Sequence, residues 1–167
     1  MEVTFTKTGD RRYRVSVEGP KVGSYMEPAL GYHALLPHDM AHFIVENELG
    51  IDGGVFGQLA AGGTGGSFTP NHPDPRKRRR IARRGQLRAK SNRKDGNLAE
   101  RVIWLALQAW QNKVSEFPAI DGFKAGDIKR VCQKFEAASS VWSKLAIGES
   151  MTLVWRRRAT RSGRSRR

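Results

Sequence analysis

At the start of the chain apolar residues alternate with polar ones at period two: Val3 and Phe5, then Tyr13, Val15 and Val17. This alternation predicts two half-buried strands, and the Thr8–Asp10 segment supplies the turn chemistry that joins them as a hairpin. Pro20 and Gly23 end the second strand. After a loop containing Pro28 and Gly31, Pro37 at a first turn and Gly50 just past an end frame a helix. A glycine-dense stretch comes next, with eight glycines from Gly50 to Gly66, and then a proline-punctuated linker from Phe68 to Pro75. Asn97 and Glu100 match a variant capping box that opens a helix running to about Ser115. On it Leu98, Val102, Leu105, Ala106, Ala109 and Trp110 share a broad face, while Trp104 falls among polar residues. A further amphipathic helix is expected over Asp127–Ala146, lined by Ile128, Val131, Phe135, Ala138, Trp142 and Leu145 and stopped by Gly148.

Met151–Trp155 reads as a last strand that pairs with the N-terminal hairpin. The order of elements predicts an α+β fold: an N-terminal β-hairpin plus a C-terminal strand, packed with about three helices. One domain over residues 1–155 is the natural division for a chain of 167 residues. Within it, 76–94 forms an extended or helical basic arm, and 156–167 is expected to be a disordered basic tail.

Charge changes this picture more than any other property. Residues 76–94 hold eleven Lys or Arg and no acid, and residues 156–167 hold seven Arg and no acid. These strips take 18 of the 30 cations, so the other 136 residues carry 12 cations against 16 acids, a net charge of −4. A mildly acidic body bearing two cationic strips points to a polyanionic partner. The candidate contacts are Arg76, Lys77, Arg78, Arg79, Arg80, Arg83, Arg84, Arg88, Lys90, Arg93, Lys94, Arg156, Arg157 and Arg158. From Thr69 to Ile103 there is no Phe, Trp or Tyr, so the first strip offers no platform for stacking unpaired bases. Nucleic acid would be held through backbone phosphates, which position a protein without specifying sequence. The same strips suit an anionic membrane surface less well, and a solvated arm with no dedicated ligand is the structural alternative.

Other features narrow the setting. The single cysteine, Cys132, rules out an internal disulfide, and it sits on an apolar helical arc as a small core residue. The N-terminus lacks a secretory pattern, and the longest apolar stretch, Val102–Leu107, is too short to span a bilayer; a cytoplasmic protein without a transmembrane segment is expected. Gly57–Thr64 (GQLAAGGT) has a glycine where a P-loop needs its lysine, and no GxSxG nucleophile motif occurs.

The second chemical signal is the segment PHDMAHFIVENELG. At 100° per residue His38, His42, Glu46 and Asp39 fall on one 100° stripe, while Met40, Phe43 and Ile44 face the other way. Two histidines at i and i+4 can chelate a divalent metal such as zinc. In HExxH metalloproteases a glutamate general base stands between them; here Asp39 takes that place on a shorter stem. Glu46 lies ~12 Å along the axis from His38, so a third ligand would have to come from His72, His33 or Asp52. The alternative is a structural cluster in which His42 donates a hydrogen bond to Glu46 and Asp39 faces the positive end of the helix dipole.

Residues 36–63, LPHDMAHFIVENELGIDGGVFGQLAAGG, resemble a family of small uncharacterised bacterial proteins with a PHDxxHFxVE segment followed by a Gly-rich GxxGxLAAG stretch. The resemblance implies that His38, Asp39, His42 and Glu46 act as a unit, and it brings no catalytic residue with it. The sequence therefore supports two functional expectations. The first is a non-enzymatic module that binds nucleic-acid backbone. The alternative is a metal-binding protein, or a metal-dependent hydrolase, built on the HDxxH helix.

Overall fold

The computed structural model describes residues 1–19, 23–114 and 116–156. The expected tail beyond Arg156, with Arg157 and Arg158, lies outside the described residues, as do Pro20 and Ser115.

Strands β1 (Glu2–Gly9) and β2 (Arg12–Glu18) pair antiparallel in the register Val3↔Val17 and Phe5↔Val15. Period-two burial matches the sequence pattern: Val3, Phe5, Tyr13, Val15 and Val17 are buried. Thr4 and Thr6 lie on the other face, hydrogen-bonded to Thr152 and Ser150, each at 2.8 Å. A short β3 (Ser24–Met26) extends the sheet beside β2, and β4 (Thr69–Pro70) adds its edge. The C-terminal strand β5 (Ser150–Val154) pairs antiparallel with β1, giving the order β4-β3-β2-β1-β5. The α+β class and the pairing of the C-terminal strand with the hairpin are both as expected from the sequence.

Among the described residues five helices complete the fold: α1 (His38–Leu49), α2 (Val55–Ala60), α3 (Pro75–Ser91), α4 (Arg93–Gln111) and α5 (Ala125–Trp142). Two exceed the three anticipated, because the glycine-dense stretch contains a short helix and the basic strip is helical. Helix α1 begins after Pro37 and ends at Gly50, whose φ of 68° closes it in a left-handed cap. It packs against α2, α4 and α5. All seven residues from Met40 to Glu46 are buried, so the His42 and Glu46 part of its polar stripe meets protein rather than water, while His38 remains exposed. Aromatic rings tie the layers together. Phe5 meets Phe43 and Phe56, Tyr13 meets Trp142 at 6.0 Å, and Phe43 meets Trp155 at 5.8 Å. All but the tilted Phe5–Phe56 pair are edge-to-face, a geometry that adds to the burial of large apolar rings.

Helix α4 corrects one sequence expectation. It starts at Arg93, not Asn97, and ends at Gln111. Asn92 alone separates it from α3, so Glu100 stands inside the helix and caps nothing. The expected α5 boundaries also shift, to Ala125–Trp142, where the Lys124 amide donates to the Asp127 carboxylate at 3.0 Å. Trp104 is exposed at 62 % and Cys132 is buried.

Candidate functional site

Glu46 is the best-engaged side chain of the α1 stripe. Its carboxylate accepts hydrogen bonds from the amides of Val55 (3.0 Å), Phe56 (2.7 Å) and Gly57 (3.1 Å), the first turn of α2. Those amides have no partner within their own helix, and a fully buried carboxylate beside them matches the positive end of the dipole. The approach depends on Gly54, where a Cβ would overlap the Glu46 carboxylate. Glu46 therefore pins the glycine-rich segment to α1.

The same carboxylate fixes His42. Nδ1 of His42 lies 3.2 Å from Glu46 Oε1, and because a carboxylate accepts only, Nδ1 carries the proton. Nε2 of His42 then points at Glu100 Oε1 on α4, 3.2 Å away. His38 comes to the same carboxylate, its Nε2 3.7 Å from Glu100 Oε2, with its ring 4.6 Å from that of His42. One ligand atom each from His38, His42 and Glu100 all lie within 4.8 Å of one another. His42 is buried, whereas the side chains of His38 and Glu100 are 46 % and 59 % exposed, so the cluster opens to solvent on their side. His38 is seated by Gly31, whose carbonyl accepts from the His38 amide at 3.1 Å.

Electrostatics derive from this geometry. Burial alone would hold His42 neutral, but hydrogen bonds to Glu100 and Glu46 outweigh it and push the imidazole up to about 9. The bond from His42 holds the Glu100 carboxyl below its ordinary range. His38 shifts the other way, lowered by burial and then by the neighbouring His42.

Asp39 is placed differently from the rest of the stripe. Its carboxylate accepts from the Tyr13 hydroxyl, which also reaches the Leu30 carbonyl at 2.5 Å. Burial raises the Asp39 carboxyl, and burial together with the Asp39 charge raises the Tyr13 hydroxyl. Asp39 thus joins α1 to β2 and is not among the converging ligand atoms. Of the four stripe residues, the structure brings His38 and His42 together, engages Glu46 with α2, and ties Asp39 to Tyr13. The partner missed from sequence is Glu100. None of His72, His33 and Asp52 joins the cluster. The available signal was positional: on α4, Glu100 lies 60° beyond Ile103, at the edge of the buried arc of Ala99, Val102, Ile103 and Ala106.

The basic strip forms α3 and the first turn of α4. Asp74 caps α3, accepting from the amides of Arg76 (2.8 Å) and Lys77 (3.4 Å), with Pro75 at the first helical position. One glycine explains how so charged a helix stays on the body. Gly85 is buried, and a Cβ there would overlap the side chain of Thr64, itself buried. Gly85, Ile81, Ala82 and Ala89 mark the packed side of α3, and its nine cations are all exposed. Arg78 and Arg79, with Thr64, Ser67, Thr69 and Gln86, line an open cleft of ≈ 300 Å³. Arg93, Lys94 and Arg156 are also exposed.

Among the described residues, no helix is long and apolar enough to cross a membrane. Compared with protein-family models, curated proteins and solved structures, the chain matches none.

Proposed function

We propose that this chain is a non-enzymatic module that binds polyanions, nucleic acid foremost, by laying α3 along the phosphate backbone. One observation carries the reading. At 100° per residue eight of the nine α3 cations fall on one half of the helix circumference, from Arg79 through Arg76 to Arg88. All nine are exposed, and among the described residues none forms an ion pair with an acid. Arg93 and Lys94 continue the strip across Asn92. A 17-residue helix is about 26 Å long, and duplex DNA presents one charge per roughly 1.7 Å of axis, so the arc faces a dense row of phosphates. Without aromatic residues from Thr69 to Ile103, affinity would build from counterion release, not from stacked bases.

The test is duplex binding measured against salt concentration. Five to eight phosphate contacts give a slope of log K on log salt of roughly −5 to −7, and Arg79→Gln with Arg83→Gln reduces it by about two without altering the fold. Negligible affinity at low salt, or a slope near zero, would sink the proposal. Anionic vesicles that compete as well as duplex at equal phosphate would move it to a membrane surface.

A further inference from the structure

We propose that His38, His42 and Glu100 form a site for a single divalent first-row transition metal, with Glu46 as the residue that positions His42. The inference stands whether or not α3 binds a polyanion.

Glu46 holds the proton of His42 on Nδ1, which leaves Nε2 as a lone pair in the neutral ring. That lone pair faces a carboxylate oxygen 3.2 Å away, and two acceptors at that distance repel unless a positive centre lies between them. In the metal-free protein protons do this separately, one on His42 Nε2 towards Oε1 and one on His38 Nε2 towards Oε2, 3.7 Å away. A divalent ion displaces both protons and replaces them with one positive centre shared by all three side chains.

Distances agree with this assignment. A tetrahedral ion bound at ~2.0–2.1 Å sets its ligand atoms about 3.3 Å apart. His42 and Glu100 are already at that spacing, and all three ligand atoms lie within 4.8 Å of one another. Only the His38 ring has to swing inward, and His38 is the half-exposed member of the histidine pair. The buried ring, His42, is held from behind by a carboxylate on its far nitrogen, the arrangement that orients metal-bound histidines and raises their basicity. Glu46 is itself fixed by three backbone amides, so the support is rigid.

The donor set names the metal class. Two imidazoles and one carboxylate suit zinc, iron, cobalt or nickel, while magnesium and calcium prefer oxygen ligands throughout. Because Glu100 and the His38 edge face solvent, at least one coordination position remains for water or a small anion.

The experiment uses the full, untagged chain stripped with chelator and titrated with Zn²⁺ by calorimetry and with Co²⁺ by visible absorption. The expected result is one ion per chain, with Co²⁺ bands of a four- or five-coordinate site and no response to Mg²⁺. His38→Ala and Glu100→Gln alter exposed side chains, so circular dichroism should match the parent while Zn²⁺ affinity falls about 100-fold or more in each. His72→Ala should leave affinity unchanged. A Zn²⁺ Kd weaker than about 100 μM overturns the proposal, as does binding that survives both substitutions. The cluster would then be an imidazolium held between two carboxylates.

Discussion

Replacing Glu46 with glutamine removes one charge and converts one of two acceptor oxygens into a donor, with almost no change in volume. The two oxygens respond differently. Oε2 accepts from the Phe56 and Gly57 amides, so a glutamine keeps its carbonyl oxygen there. Its NH₂ group then takes the Oε1 position, facing the Val55 amide and His42 Nδ1. Two N–H donors now oppose each other at Val55, inside the protein, and an unsatisfied buried amide costs about 1–3 kcal/mol. The surviving bonds lose their charge assistance, and His42 must move its proton to Nε2 to accept from the new NH₂. Together these place the loss at about 2–4 kcal/mol, which for a chain of this size lowers Tm by roughly 5–15 °C. Urea unfolding monitored by tryptophan fluorescence reads it, since Trp142 and Trp155 are buried. Glu116→Gln, at an exposed position, is the control and should stay within about 0.5 kcal/mol of the parent. If Glu46→Gln is equally silent, Glu46 does not hold α2 to α1 and the role assigned to the stripe is wrong. The proton forced onto Nε2 would also weaken Zn²⁺ binding, beyond what the stability loss explains.

At Gly85, alanine favours the helix by about 1 kcal/mol but collides with Thr64, so Gly85→Ala should destabilise by about 1–3 kcal/mol net. Adding Thr64→Ala should recover most of that loss; no recovery in urea titrations would refute the Gly85–Thr64 contact. In the chelated protein, His42 titrates near 9 when folded against 6.5 when unfolded. Its contribution is therefore complete below pH 6.5 and disappears as pH rises through about 9, and unfolding free energies that rise across that window would contradict the pairing. Cys132 is buried, donates to the Ala106 carbonyl at 3.5 Å, and has its thiol pushed up to about 11 by burial. Alkylation at pH 8 should run at least about tenfold slower than in urea, and equal rates would show the thiol to be accessible. Trp104→Ala should leave stability within about 0.5 kcal/mol, while Trp142→Ala should remove about 3–5 kcal/mol, both read by thermal unfolding.

Much of the frame was legible because the responsible residues act locally. Period-two burial from Val3 to Val17 is a property of each strand alone, and Pro37 and Gly50 mark the ends of α1 by backbone preference. The stripe of His38, His42 and Glu46 was visible for the same reason. Its partners were not. Glu100 is 58 residues from His42 in sequence and belongs to another helix, and no spacing rule connects them. A local rule even misplaced it, since Asn97 and Glu100 satisfy a capping pattern that the upstream helix overrides. Likewise, helical phase put the stripe on a polar side without revealing that α4 meets His42 and α2 meets Glu46 there, so both are buried. The cation run was plain from charge. That it is a helix anchored at Gly85 required the close approach of Thr64, which only the folded chain supplies.

That anchor sets how α3 tolerates change in its length, as distinct from its composition. Lysine can replace arginine at any exposed position without disturbing the contact at Gly85. An inserted residue is different: placed just before Gly85, it turns every preceding cation by 100° relative to the packed side. Arg79 and Arg83 would then come round to face Thr64, and the charges that now look outward would press against the body. Across these residues the chain can drift in its letters, but the count of residues between Asp74 and Gly85 is fixed by the fold.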